Sequence, residues 1–394
     1  MAAQSLSIDN PAGKVVPGTR IRSVDLLRGA VMVLMAIDHV RVYSGIPSGG
    51  HTAGVFFTRW VTHFCVPSFV FFAGTSAFLY GNKLNDKNKL SGFLFTRGLF
   101  LVFLELTLIR FGWCFNFNYT QFTLAGVIWM LGWCMVLMAL LSRLRVTTIG
   151  IIGLLIIFFQ QVFGLVSHIL PQGWQNYFGW FWEFIYPADL QSLPGVAILY
   201  VLVPWIGVMM AGYSFGMILY REPAERQKIC LRIGISAIII FLIAGSLVII
   251  LGKPYKGDMP FLFRLLAQQK YPASQLYLLM TLGPLIALVP FAEKVRGWFA
   301  NVLITFGKVP FFYYLLHIPL IHVAALVVNY LKEGNFHQDW YGTAPFTELP
   351  EQFHWSLPLL YLVYLIVEVI LYFACRQYAK YKAGHPEKKW LKYI

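Results

Sequence analysis

Long apolar stretches that follow one another with little between them decide what this chain can fold into. They lie near residues 24–44, 57–80, 93–113, 122–142, 147–168, 196–218, 231–251, 273–292, 302–331 and 355–380. A helix needs about 20 mostly apolar residues to cross the hydrocarbon core of a bilayer, and no stretch the size of a soluble domain is left between these. Of the 394 residues, 58% are hydrophobic and 12% charged, roughly half the share of charge usual in a soluble domain. The expected fold class is all-α, a polytopic transmembrane helical bundle of about ten spans. It divides into a flexible cytoplasmic head (1–22), a transmembrane domain (23–382) and a basic cytoplasmic tail (383–394).

The net charge is +14, which in a soluble chain would suggest a nucleic-acid partner. Here the bases fall in alternate short loops: Lys14, Arg20 and Arg22; Lys83, Lys87 and Lys89; Arg143 and Arg145; Arg221, Arg226, Lys228 and Arg232; Lys294 and Arg296; and Arg376 to Lys392. Such alternation sets topology. It places both termini in the cytoplasm, the protein in the inner (plasma) membrane, and excludes nucleic acid as a partner. One outer loop dissents, because 252–272 carries Lys253, Lys256, Arg264 and Lys270. It reads either as an interfacial segment or as a solvated loop. Loop 169–195, rich in Trp and Tyr, is a candidate re-entrant cap over an outward cavity. The five cysteines form no CxxC pair and read as small buried hydrophobes, with no metal site indicated.

Ionisable groups at membrane depth are costly and usually mark a reaction or transport pathway. Asp38 and His39 lie deep in the first stretch, His63 in the second, Glu105 in the third, His317 in the ninth and Glu368 in the tenth. At 1.5 Å per residue, His39 is roughly 22 Å from the cytoplasmic end and His63 roughly 9 Å from the outer one. The two meet at similar depth, and a His39–His63 pair with Asp38 and Arg59 nearby is expected. The competing reading is that each histidine merely bonds a neighbouring carbonyl. Glu105 is expected to pair with Arg110 or Arg97. Glu368 fits a structural or a functional role equally. His322 points to another face than His317, which is preferred because Pro310 and Pro319 bracket it.

Arg28 and His39 are separated by ten residues, about three helical turns, so they share a face roughly 16 Å apart. A guanidinium at the cytoplasmic mouth suits phosphates, and a deep imidazole can take a proton from a nucleophile. A long donor, anionic at one end and reactive at the other, would span them; acyl-CoA has that shape. The bland alternative is a snorkelling Arg and an unrelated His.

The segments RIRSVDLLRGAVMVLMAIDHVR (20–41) and FFTRWVTHFCVPSFVFFAGTSAFLYG (56–81) resemble the bacterial relatives of heparan-α-glucosaminide N-acetyltransferase, in the transmembrane acyltransferase superfamily. Weaker matches are GVIWMLGWCMVLMALL (126–141), VPWIGVMMAGYSFG (203–216) and GKVPFFYYLLHIPLIH (307–322). Arg28 and His39 also match the Arg–ten–His motif of the related acyltransferase-3 family, whose histidine is the proposed base. The resemblance implies acetyl transfer from cytoplasmic acetyl-CoA to a hydroxyl or amine of a sugar or glycan on the far side. One departure stands out: the animal lysosomal enzyme has Asn in place of His39, and its essential histidine falls nearer His51.

The expected catalytic set is His39, Asp38, His63 and His317, with Asp25, Arg28 and Arg59 binding the donor. As base, His39 ranks before His63, and His63 before His51. Asp38 or a neighbouring histidine is expected to set the tautomer of His39. Direct transfer and an acyl-His intermediate stay open, as does a homo-oligomer. The rivals are a proton-coupled transporter using the same Asp/His network and a non-catalytic scaffold.

Overall fold

The computed structural model describes residues 21–47, 52–120, 122–190, 193–253, 255 and 257–394. In chain order its helices and strands are α1 (Arg22–Tyr43), α2 (Ala53–Trp60), α3 (Cys65–Leu84), α4 (Lys87–Leu104), α5 (Arg110–Cys114), β1 (Thr123–Ala125), α6 (Val127–Leu141), α7 (Val146–Phe158), α8 (Val166–Ile169), α9 (Gln172–Ile185), β2 (Val196–Ile198), α10 (Trp205–Leu219), α11 (Pro223–Leu251), α12 (Phe261–Leu266), α13 (Gln275–Ala292), α14 (Trp298–Lys308), α15 (Pro310–Glu333) and α16 (Leu357–Gly384). Among the described residues, six helices are long and apolar enough to cross a membrane: Ala53–Leu84, Lys87–Cys114, α11, α13, α15 and α16. A seventh exists if Val146–Phe158 and Gln160–Ile169, bent by 61°, count as one span.

Three expected spans fall short of that test for readable reasons. α1 has 22 residues but carries Arg22, Asp25, Arg28, Asp38 and Arg41. α6 and α10 have 15 residues each, about 22 Å of helix against a core of roughly 30 Å. The chain preceding each is extended, not helical as expected. Thr123–Ala125 pairs in parallel with Val196–Ile198, and Gly126 and Pro204, at the N-caps, end the extended runs. The stretch 302–331 is likewise two helices, because Pro310 lacks the N–H needed to continue α14 into α15.

α1 stands in the middle of the bundle, packed by α3, α13, α14, α15 and α16. Its charged residues therefore face protein, which is where intramembrane ions are tolerated. The tightest pairs, α1 with α14, α3 with α10, α4 with α6, α7 with α10 and α11 with α13, each oppose two glycines: Gly29 and Gly307, Gly74 and Gly212, Gly98 and Gly132, Gly153 and Gly207, Gly234 and Gly283. Small residues let backbones approach closely where lipid supplies no hydrophobic drive between helices. A Cβ on Gly29 would overlap the Leu303 carbonyl, and one on Gly307 the Asp25 carbonyl. Gly29→Ala should thus cost about 1–3 kcal/mol and lower Tm in detergent. Gly92→Ala, where a Cβ meets nothing within 4 Å, should leave Tm unchanged or raise it. Equal Tm values for the two variants would contradict this packing.

All five cysteines are buried and unpaired, as their apolar setting led us to expect. α9 exposes Trp174, Tyr177, Phe178 and Phe181, and Glu183 closes its own loop by accepting from the N–H groups of Ala188 and Leu190.

Candidate functional site

Four interruptions of regular α-helix converge near the C-terminal end of α1. The chain before α3 tightens into a 3₁₀ turn, Val61–Phe64, which carries His63. α4 passes into a π-helical turn, Glu105–Ile109. The two others are the extended segments leading into α6 and α10. Non-helical backbone at membrane depth is tolerated where it lines a cavity, and π turns often mark functional sites. All four contribute to the wall of a cavity of about 290 Å³: His63, Glu105, Leu124 with Gly126, and Leu199 with Tyr200. α1 adds Met35, Asp38, His39 and Arg41, and Trp113, Lys270, Tyr271 and Tyr314 are also in the wall. The size is near the lower bound for small-molecule sites. No described residue of loop 169–195 is in this wall.

Hydrogen bonds fix the state of the central imidazoles. His317, fully buried on α15, has Nδ1 at 2.7 Å from the Tyr314 carbonyl and 3.2 Å from that of Tyr313. A carbonyl only accepts, so the proton of a neutral His317 is on Nδ1 and its Nε2 is an acceptor. His39 Nδ1 lies 2.6 Å from that Nε2 and donates to it. The lone pair of His39 is left on Nε2, at the far end of a ring that lines the cavity. Trp113 holds the ring edge-on at a centroid distance of 5.0 Å.

His39 and His63 line one cavity, as expected, but the nitrogen that meets His39 belongs to His317. His63 Nδ1 bonds the Arg59 carbonyl at 3.2 Å, and Tyr277 donates to the His63 carbonyl at 2.7 Å. Asp38 does not set the tautomer of His39. Its Oδ1 takes Arg41 Nε and Nη2, both at 3.0 Å, and Arg41 also reaches the Ile46 carbonyl at 2.9 Å. Glu105 does not pair with either expected arginine. Arg110 turns to the carbonyls of Asn116 and Asn118, and Arg97 to that of Lys392 at 3.0 Å. The Glu105 carboxylate lies instead against Gly126, the residue before α6, where a Cβ would strike its Oε1.

The donor-binding candidates separate. Arg59 lines the cavity together with His63. Arg28, three turns from His39, donates to Ser76 Oγ on α3 at 2.8 Å, and Asp25 is buried where α1 crosses α14. Neither lines the cavity. Met32 on α1 and Phe72 on α3, both buried, occupy the intervening turns of the two helices. His322 faces elsewhere, stacked on Phe115 and bonded to Gln338 at 3.0 Å. Glu368 accepts from Tyr313, whose ring stacks on His317. His51 lies outside the described residues.

Sequence reasoning missed Lys270, Trp113, Tyr200 and Tyr314 as lining residues. A signal existed for Lys270, since it belongs to 252–272, the loop whose bases dissented from the expected alternation. The aromatic residues carried none in a chain with 17% aromatics.

A family model described as heparan-alpha-glucosaminide N-acetyltransferase, catalytic, matches residues 20–252. The chain belongs to this family. Membership implies an acetyltransferase, and the apolar helices make it a multi-pass membrane protein. A search of curated proteins gives no match. The part matched by the N-acetyltransferase model holds Asp38, His39, Arg59, His63 and Glu105, whereas Lys270, Tyr314 and His317 lie beyond it.

Proposed function

We propose that this N-acetyltransferase relative moves an acetyl group from cytoplasmic acetyl-CoA to a sugar hydroxyl or amine on the outer side, with His39 as general base. The observation that carries the reading is the pair of bonds from His39 to His317 and from His317 to the Tyr314 carbonyl. Together they leave His39 Nε2 unprotonated and at the cavity wall. In the reaction the acceptor oxygen or nitrogen attacks the thioester carbonyl carbon and gives its proton to His39 Nε2. The C–S bond then breaks, and the departing thiolate takes that proton from the imidazolium. Asp38, one residue away, supports the transient positive charge.

In this reading α1, α6, the bent pair around Phe159 and α10 cross the bilayer with the six apolar spans, giving ten crossings and cytoplasmic termini in the inner membrane. The cytoplasmic head (1–22) and basic tail (383–394) then flank the acyltransferase domain (23–382). Arg28 and Asp25 lie toward the cytoplasmic end, where coenzyme A phosphates would meet a guanidinium. Arg59 belongs with the outer half. Acetyl-CoA at about 100 times its Kd should stabilise the purified protein by roughly 2.7 kcal/mol, read as a rise in Tm. A Tm indifferent to acetyl-CoA and CoA, with uptake driven by a pH gradient, would sink the transferase reading in favour of a carrier.

A further inference from the structure

The mechanism leaves a buried carboxyl group in the cavity wall unused. Glu105 is 2% exposed. Its Oε1 lies against the N-terminal end of α6, where a Cβ on Gly126 would strike it. The second oxygen, Oε2, is buried and has no hydrogen-bond partner among the described residues. An unpaired buried oxygen of a carboxylate is expensive. The guanidiniums near it in sequence are committed to other carbonyls. The residue lines the cavity that holds His39 and opens the π-helical turn, a distortion that is retained mostly at functional sites.

We propose that Glu105 positions the acceptor: its Oε2 accepts a hydrogen bond from an N–H or O–H group of the sugar in the cavity. This rests on the transferase reading for the sugar's identity as acceptor, and on the orphaned oxygen for its binding. In Glu105→Gln the size is kept and an NH₂ replaces one of the two carboxylate oxygens. Two acceptor oxygens in the wall become one acceptor and one donor.

The test is titration of the full chain in nanodiscs with glucosamine and with methyl glucoside, followed by Trp fluorescence, since Trp113 is in the wall. Saturable binding to the wild type, weakened at least about tenfold in Glu105→Gln, is the expected result. The acetyl-CoA titration should be the same for both. Preference for glucosamine identifies an ammonium as the donor group, and equal binding a hydroxyl. A Glu105→Gln affinity within about twofold of the wild type overturns the proposal, as does failure of the wild type to bind either sugar. Should Glu105→Gln not fold, Glu105→Asp, one methylene shorter, must show the same loss. A wild type that binds sugar through Glu105 yet ignores acetyl-CoA would overturn the transfer reaction and leave this site standing.

Discussion

Replacing His39 by alanine is expected to lower the rate of acetyl transfer by about 10²–10⁴-fold, the usual contribution of a positioned base. The affinity for acetyl-CoA should stay within about twofold, because the proposed phosphate contact is at Arg28, roughly 16 Å away along the helix. The split matters more than the loss. His39 is only half buried, so truncation leaves a small defect beside Trp113, and a folded variant is expected. Matched Tm values with and without acetyl-CoA for wild type and variant would verify that. A His39→Ala protein that turns over at the wild-type rate removes His39 as base and moves attention to His63.

The second large effect belongs to His317, which touches no substrate in this account. Removing its ring leaves His39 Nδ1–H without an acceptor, so the imidazole is free to take the other tautomer or to rotate. A catalytic histidine deprived of the partner that fixes its tautomer loses orders of magnitude in rate. His317→Ala should therefore lower kcat on the order of 10²-fold with little change in either KM. His317→Gln offers an amide oxygen near the place of Nε2 and should recover part of that loss. A purely structural role predicts something else: lowered Tm for both variants, with no recovery by Gln. His317 and His39 are 278 residues apart in the chain, and only the packing of α15 on α1 brings them together.

That separation explains what was legible in the sequence. The polar residues of α1 stood out because each violates the chemistry of the bilayer on its own, and Asp38, His39, His63 and His317 could be selected one by one. Their pairing could not, since proximity along the chain favoured His63 as the neighbour of His39. Glu105 was misassigned to an arginine for a related reason. The π-helical turn at Glu105–Ile109 changes the angular register of Arg110, and loop carbonyls at Asn116 and Asn118 capture it. Hydropathy located the long helices but not α9 or α12, which lie in segments read as loops. It did not show that Thr123–Ala125 and Val196–Ile198 form a ribbon, because a short apolar strand and the first turn of an apolar helix look alike.

The central claim is that a donor and an acceptor from opposite sides of the membrane meet at His39. Proteoliposomes with the protein in known orientation, acetyl-labelled acetyl-CoA on the face bearing the loop 83–89, and glucosamine on the other face test it directly. The account predicts labelled sugar in the compartment opposite the donor for the wild type and none above background for His39→Ala. Label that stays on the donor side, or crosses equally well without His39, would contradict it.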